Sequence, residues 1–128
     1  MMTTKEVGTR LVELLKARKN RQAIEELYAD NVVAVEPIEM EPGKGRETVG
    51  KDAVLASSDW FFNMFEVHDA TCEGPYPFDD HFICFMSIDL TAKQGPMAGQ
   101  RMQMKEAGRY EVQNGKITRT EFYYAHDC

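Results

Sequence analysis

Apolar residues near the start of the chain recur every three or four positions. Val7, Leu11, Leu14 and Leu15 share one side of a helical wheel, while Glu6, Arg10, Glu13 and Lys16 occupy the other. This spacing predicts a helix opening at Lys5, with Thr3 or Thr4 as its cap. Asn20 offers a second cap, and Ala23, Ile24, Leu27 and Tyr28 give a short second helix its apolar side. The period then shortens to that of an extended chain: Val32, Val33, Ala34 and Val35 predict a strand that ends on Glu36, before Pro37. Pro37 to Gly50 is rich in Pro, Gly and Glu and reads as a loop or loose hairpin. Asp52 to Met64 predicts a third helix, with Val54, Leu55, Trp60, Phe61 and Met64 available for burial.

Beyond that helix the pattern is one of strands and turns. Phe65 to Glu73 is the first, closed by Gly74-Pro75-Tyr76-Pro77. In His81 to Ala92, Phe82, Cys84, Met86, Ile88 and Leu90 alternate with Ile83, Phe85, Ser87 and Asp89. Lys93-Gln94-Gly95-Pro96 turns the chain into a strand from Met97 to Val112, and Asn114-Gly115 marks a tight hairpin into Ile117 to His126. The order helix, helix, strand, helix, four strands predicts an α+β fold with a mostly antiparallel sheet. Three helices cover one face of such a sheet. The other face, apolar at Ile83 and Phe85, is expected to pack on a second copy, giving a homodimer.

Composition narrows the class. At 128 residues, one domain spanning 1–128 is expected, long enough for a real core. A net charge of -6 argues against a nucleic-acid partner. The cluster Lys16, Arg18, Lys19 and Arg21 reads as cations near a helix C-terminus. No apolar run approaches the roughly 20 residues of a membrane span, and the polar start MMTTKEVGTR lacks a signal segment, so a cytoplasmic protein without membrane contact is expected. Cys72, Cys84 and Cys128 share no metal-ligand spacing, and neither CxxC nor HxxxH occurs, so no metal is expected. Ser57 and Ser58 lack a nucleophile-elbow context, GKGRET lacks phosphate-loop spacing, and no cofactor is expected.

Three residues carry the candidate chemistry. Glu36 ends an apolar strand: at the edge of a cavity, desolvation would raise its pKa and make it a base for a C–H proton, whereas in solvent it would be an ordinary strand end. Val33, Val35, Trp60 and Met64 are the residues expected to make that setting apolar. Counting back by twos from the Asn114-Gly115 turn puts Val112, Tyr110, Gly108, Glu106, Met104 and Met102 on one face; if that face is the inner one, Glu106 is a second carboxylate among apolar side chains, unless a bulge reverses the parity. Thr120, Phe122, Tyr124 and His126 share one side of the last strand, where Tyr124 could donate to a ligand oxygen. Met64, Met86, Met97, Met102 and Met104 suit either plain core or a pliable lining for an apolar ligand. The candidate site is therefore Glu36, Glu106 and Tyr124 for catalysis, with Trp60, Met64, Met86, Met104, Tyr110, Phe122 and His126 against substrate.

A series of phrases spans the chain in order: Ala23-Ile24 to Tyr28-Ala29-Asp30-Asn31, Val35-Glu36-Pro37, Gly50-Lys51-Asp52-Ala53-Val54, and Asn114-Gly115-Lys116-Ile117. With this spacing the chain resembles the nuclear-transport-factor-2-like superfamily, which includes the SnoaL-like polyketide cyclases and the ketosteroid isomerases. The resemblance implies a cone-shaped, cystatin-like fold with the sheet wrapped around three N-terminal helices. It also implies that the Thr120, Phe122, Tyr124 side of the last strand faces a pocket, and that Glu36 holds the place of the isomerase base. The isomerase oxyanion residues differ: Leu11 follows Arg10 where an isomerase has Tyr, and only Glu106 is acidic near its second oxyanion acid. Related dehydratases use two pocket histidines, for which His68 and His81 are the counterparts to examine. Two functions follow: a cofactor-independent isomerase, cyclase or dehydratase acting on a small apolar carbonyl compound, or a non-catalytic small-ligand-binding or accessory protein. Whether the chain is an enzyme is left open at this point.

Overall fold

The computed structural model describes residues 1–125, so His126 and Cys128 lie outside the described residues. Three helices, α1 (Thr4–Lys16), α2 (Asn20–Leu27) and α3 (Lys51–Met64), accompany six strands: β1 (Tyr28–Val35), β2 (Glu47–Val49), β3 (Phe65–Phe78), β4 (His81–Ala92), β5 (Arg101–Gln113) and β6 (Lys116–Tyr124). The sheet runs in the order β2-β1-β6-β5-β4-β3. Only β1 with β6 is parallel; the other neighbours are antiparallel. This is the α+β cone of the nuclear-transport-factor-2-like fold, an open curved sheet over three helices.

The helix ends follow local chemistry. Thr3 and Glu6 form a reciprocal capping box: the Glu6 N–H donates to Thr3 Oγ1 at 3.2 Å and the Thr3 N–H donates to Glu6 Oε1 at 2.9 Å. Asn20 does not cap α2. Lys19 takes that position without a side-chain bond, and Asn20 is the first helical residue, its side chain left to face the interior cavity. Arg18 closes the basic cluster in a left-handed conformation (φ 61°), which lets its Nη2 donate to the Val67 carbonyl at 2.7 Å and pin the end of α1 to β3.

Strand bounds differ from the sequence pattern where pairing overrides composition. β1 starts at Tyr28, four residues early, because Tyr28 pairs with Ile117. The hairpin reading of Pro37 to Gly50 holds at its far end, where β2 pairs Val49 with Val33 and Glu47 with Val35. β3 does not stop at Gly74-Pro75; a register shift between Glu73 and Tyr76 absorbs these residues and pairing resumes to Phe78. β5 begins at Arg101 rather than Met97, because turns occupy most of 94–99. Asn114 and Gly115 both have positive φ (51° and 74°), the pair needed by a two-residue hairpin turn.

The core lies between α1, α2 and the concave face. Val7, Leu11, Leu14, Ala23 and Leu27 meet Val32, Phe82, Cys84, Tyr110 and Ile117, all buried. Tyr110 stacks on Phe82 with centroids 4.9 Å apart and planes at 10°. Gly108 permits this: a Cβ there would lie 2.7 Å from Tyr110 Cε2. The convex face has another character. Ile83, half-exposed Phe85 and half-exposed Tyr123 adjoin a grid of ion pairs, Arg109–Glu111 at 3.2 Å and Arg119–Glu121 at 2.9 Å. No helix among the described residues is long and apolar enough to cross a membrane.

Candidate functional site

The strand parities converge on a cavity between the concave face and α2–α3. Its main lobe, about 420 Å³, is lined by Glu36, Glu106 and Tyr124 together with Trp60, Met104 and Phe122. A second lobe of about 160 Å³ is lined by Met86, Tyr110 and Cys72, and shares Glu106, Tyr28 and Phe122 with the first. Glu36 reaches the main lobe because it continues the inward series of β1 after Val32 and Ala34. Val33 and Val35 belong to the other side and are absent from the lining, so the expectation that they make the base's setting apolar is corrected. Pro37 has no N–H to offer the sheet, and the chain leaves β1 with the Glu36 N–H donating to the Arg46 carbonyl at 2.9 Å.

Met64 also falls away from both lobes. It ends α3, where its carbonyl accepts from the Lys93 N–H at 2.8 Å and its methyl faces the Gly95 turn. His68 and His81 do not form a pocket pair: a His68 ring nitrogen lies 2.7 Å from Thr91 Oγ1, and His81 sits 3.2 Å from Asp80, neither of them lining a lobe. His126 is outside the described residues.

Tyr124 is engaged with the first of the two glutamates. Its hydroxyl donates to Glu36 Oε2 at 2.8 Å and lies 3.1 Å from Met40 Sδ, which fixes the carboxyl group at the cavity wall. Thr120 lines the cavity from β6, on the side that the resemblance implies, and three residues not singled out for the site complete the lining: Asn20 and Ser58 from the helices and Tyr28 from β1. The Thr120 hydroxyl is fully buried and finds no hydrogen-bond partner among the described residues. Alternation on β1 does not extend back to Tyr28, because the register with β6 shifts between Tyr28 and Val33 and Asp30 between them is exposed; Asn20 and Met40 likewise left no periodic signal.

The two carboxyl groups differ in environment. Burial pushes Glu36 up from the ordinary carboxylate range, and the Tyr124 hydrogen bond pulls it part of the way back. Glu106 has no hydrogen bond of this kind among the described residues. Burial, and then the charge on Glu36, push it up to about 7. Glu36 therefore loses its proton first, and its charge helps to keep the proton on Glu106. Burial, followed by the charges of Glu36, Cys84 and Glu106, likewise pushes the Tyr28 phenol up, keeping it a donor at neutral pH. The cavity thus holds a carboxylate acceptor beside a carboxylic acid at one pH, the pairing needed to take a proton at one atom and supply one at another.

Because native Glu106 keeps its proton to higher pH than the unfolded chain does, its burial costs stability as pH rises from about 4.5 through 7. The cost is roughly 3 kcal/mol in all, at about 1.4 kcal/mol per pH unit. Glu106→Gln removes that slope. Urea unfolding at pH 5 and pH 8 should show the variant gaining about 1–3 kcal/mol on the wild type between the two pH values; parallel pH dependence of the two proteins would contradict the placement.

Comparison with known proteins agrees with this architecture. The family model described as SnoaL-like domain matches residues 2–124. No match was found among curated proteins. A Mesorhizobium loti protein, provisionally named a SnoaL-like polyketide cyclase (carbohydrate phosphatase), is 37% identical, with a TM-score of 0.88 over 96% of this chain and 100% of that one. A Bacillus subtilis protein provisionally named an isomerase is 17% identical, with a TM-score of 0.73 over 96% of this chain and 89% of that one. A Catenulispora acidiphila protein of ketosteroid isomerase-like fold, solved with trimethylamine, is 21% identical, with a TM-score of 0.69 over 95% of this chain and 87% of that one. The last two likenesses concern the fold alone. With its family model spanning nearly the whole sequence, the chain belongs to the SnoaL-like domain family of the nuclear-transport-factor-2-like superfamily.

Proposed function

We propose that this protein is a cofactor-independent proton-transfer enzyme of the isomerase or cyclase type, acting in the cytoplasm on a small, largely apolar carbonyl compound. The observation that carries the reading is the pair of carboxyl groups in one cavity, Glu36 held by Tyr124 and Glu106 partly buried with no ion-pair partner among the described residues. Glu36 takes a proton from the carbon beside the carbonyl. The electron pair of that C–H bond moves onto the carbonyl oxygen, where the Glu106 carboxylic acid donates a hydrogen bond to the growing negative charge. Glu36 then returns its proton to the same carbon or, where a C=C bond is conjugated with the enolate, to the far end of that double bond. Tyr124 is a positioning residue in this scheme, and Tyr28 is a second donor facing the same space. Leu11, at the position where an isomerase has Tyr, is buried in the core and contributes no hydroxyl, so Glu106 and Tyr28 are the oxyanion donors. The convergence of several polar groups around Glu36 supports this reading over that of a passive binding protein.

A second part of the proposal concerns assembly. Ile83, Phe85, Ala107 and Tyr123 run side by side across β4–β6 on the convex face, with Phe85 50% and Tyr123 52% exposed. At roughly 25 cal/mol per Å² of apolar surface, covering such a stripe on two chains contributes several kcal/mol, and a homodimer through this face supplies the cover.

Glu36→Gln keeps the shape and a hydrogen bond to Tyr124 but cannot accept the proton. Exchange of α-protons of small aryl ketones with deuterated water, followed by NMR, should fall at least about a hundredfold in the variant while ketone binding stays within a few-fold. Wild-type exchange rates in the variant would refute the base assignment. Sedimentation at micromolar concentration should give about twice the chain mass of 14.6 kDa, and a monomer would refute the dimer.

A further inference from the structure

The sheet registers align four residues in one row. Cys72 pairs with Met86, Met86 with Glu106, and Glu106 with Tyr124. Directly paired residues share a face, so the row crosses the concave side of β3, β4, β5 and β6 at right angles to the strands. At about 4.8 Å per strand it is roughly 14 Å long. The main lobe covers the Tyr124 end and the second lobe covers the Cys72 end, while Glu106 lines both.

The polar groups of the second lobe are concentrated at that junction: Glu106, Asn20, Ser58 and Tyr28 all line both lobes. Past them the wall is mainly apolar, with Leu11, Leu15, Ala70, Met86 and the ring of Tyr110, and Thr71 and Cys72 lie at its far end. The Tyr110 ring is fixed there by its stack on Phe82 and by the bare Cα of Gly108 beneath it, and its hydroxyl reaches Met86 Sδ at 3.8 Å. A volume of 160 Å³, at about 30 Å³ for each water-sized group, takes roughly five heavy atoms.

We infer that the substrate is a carbonyl compound carrying a short apolar arm next to the reacting carbon. Its oxygen sits at Glu106, its ring or main body fills the larger lobe, and its arm of about five carbons runs over Met86 toward Cys72. The inference rests on the proton-transfer reading for the position of the oxygen. It concerns specificity rather than chemistry: Met86, Ala70 and Tyr110 select for the arm, and compact ketones leave the second lobe unfilled.

Three fluorescent phenols serve as enol mimics: 2-naphthol, 1-pentyl-2-naphthol with its arm beside the hydroxyl, and 6-pentyl-2-naphthol with an arm of equal apolar area on the far ring. Wild-type protein should bind the 1-pentyl isomer at least about tenfold tighter than the 6-pentyl isomer. Met86→Trp and Ala70→Phe, which fill the second lobe from different strands, should reduce that preference to about twofold and leave 2-naphthol affinity within about twofold. Peptide mapping after iodoacetamide treatment should show Cys72 protected by the 1-pentyl isomer and not by 2-naphthol. Equal affinity of the two isomers for wild type, a preference that survives in both variants, or no binding of the 1-pentyl isomer would overturn the inference. None of these measurements requires turnover, so a failed Glu36→Gln experiment would sink the chemistry and leave this result readable.

Discussion

Two carboxyl groups facing one cavity, with the Tyr124 hydroxyl bonded to one of them, set the behaviour of this site. Neither Glu36 nor Glu106 forms an ion pair among the described residues, and the protein crowding both raises both above the ordinary range. In such surroundings two negative charges are expensive, and one proton stays behind. Two differences decide where. Glu106 is the more deeply buried of the two, and Tyr124 donates to Glu36 Oε2 and lowers the cost of charge there, so the remaining proton resides on Glu106. Unequal burial and one hydrogen bond thus divide two chemically identical side chains into an acceptor and a donor.

The fold brings these groups together by means that local sequence does not carry. Glu36 and Tyr124 are 88 residues apart and meet through the sole parallel pairing of the sheet, in which Val35 lies beside Glu121. Glu106 meets Tyr124 through the antiparallel register of β5 and β6. The convex side of the same strands carries an alternating charge grid at Arg109, Glu111, Arg119 and Glu121, so Arg109 and Arg119 point away from the cavity. That arrangement leaves the inner carboxyls without a partner from their own strands.

Much of this was legible, for reasons particular to each strand. Alternation counted back from Asn114-Gly115 put Glu106, Gly108 and Tyr110 on one face, which the fold turns inward, and the irregularity that threatened that count lies on the other strand. Glu111 pairs with Arg119 while Val112 pairs with Ile117, so the additional residue is Thr118, on β6. The parity of β5 is therefore preserved, and that of β6 is reset, which turns Thr120, Phe122 and Tyr124 inward after Ile117. Counting on β6 alone would have put them outside; the family resemblance gave their side correctly. Met64 was misplaced because the apolar residues of α3 supply more than one face, and the helix ends with that side chain near the Gly95 turn. The direction of the Tyr124 hydroxyl, and the turn of Asn20 and Ser58 toward the cavity, depend on side-chain packing between distant segments, which no periodicity encodes.

The division of one proton between two glutamates is open to direct observation by carbon-13 NMR titration of the side-chain carboxyl groups, assigned with Glu36→Gln and Glu106→Gln. The Glu106 signal should titrate near pH 7 in the wild type and at lower pH once Glu36 is replaced, with Glu36 itself titrating below Glu106. If both signals instead titrate independently in the ordinary range near 4.5, the cavity does not separate an acid from a base and the account fails.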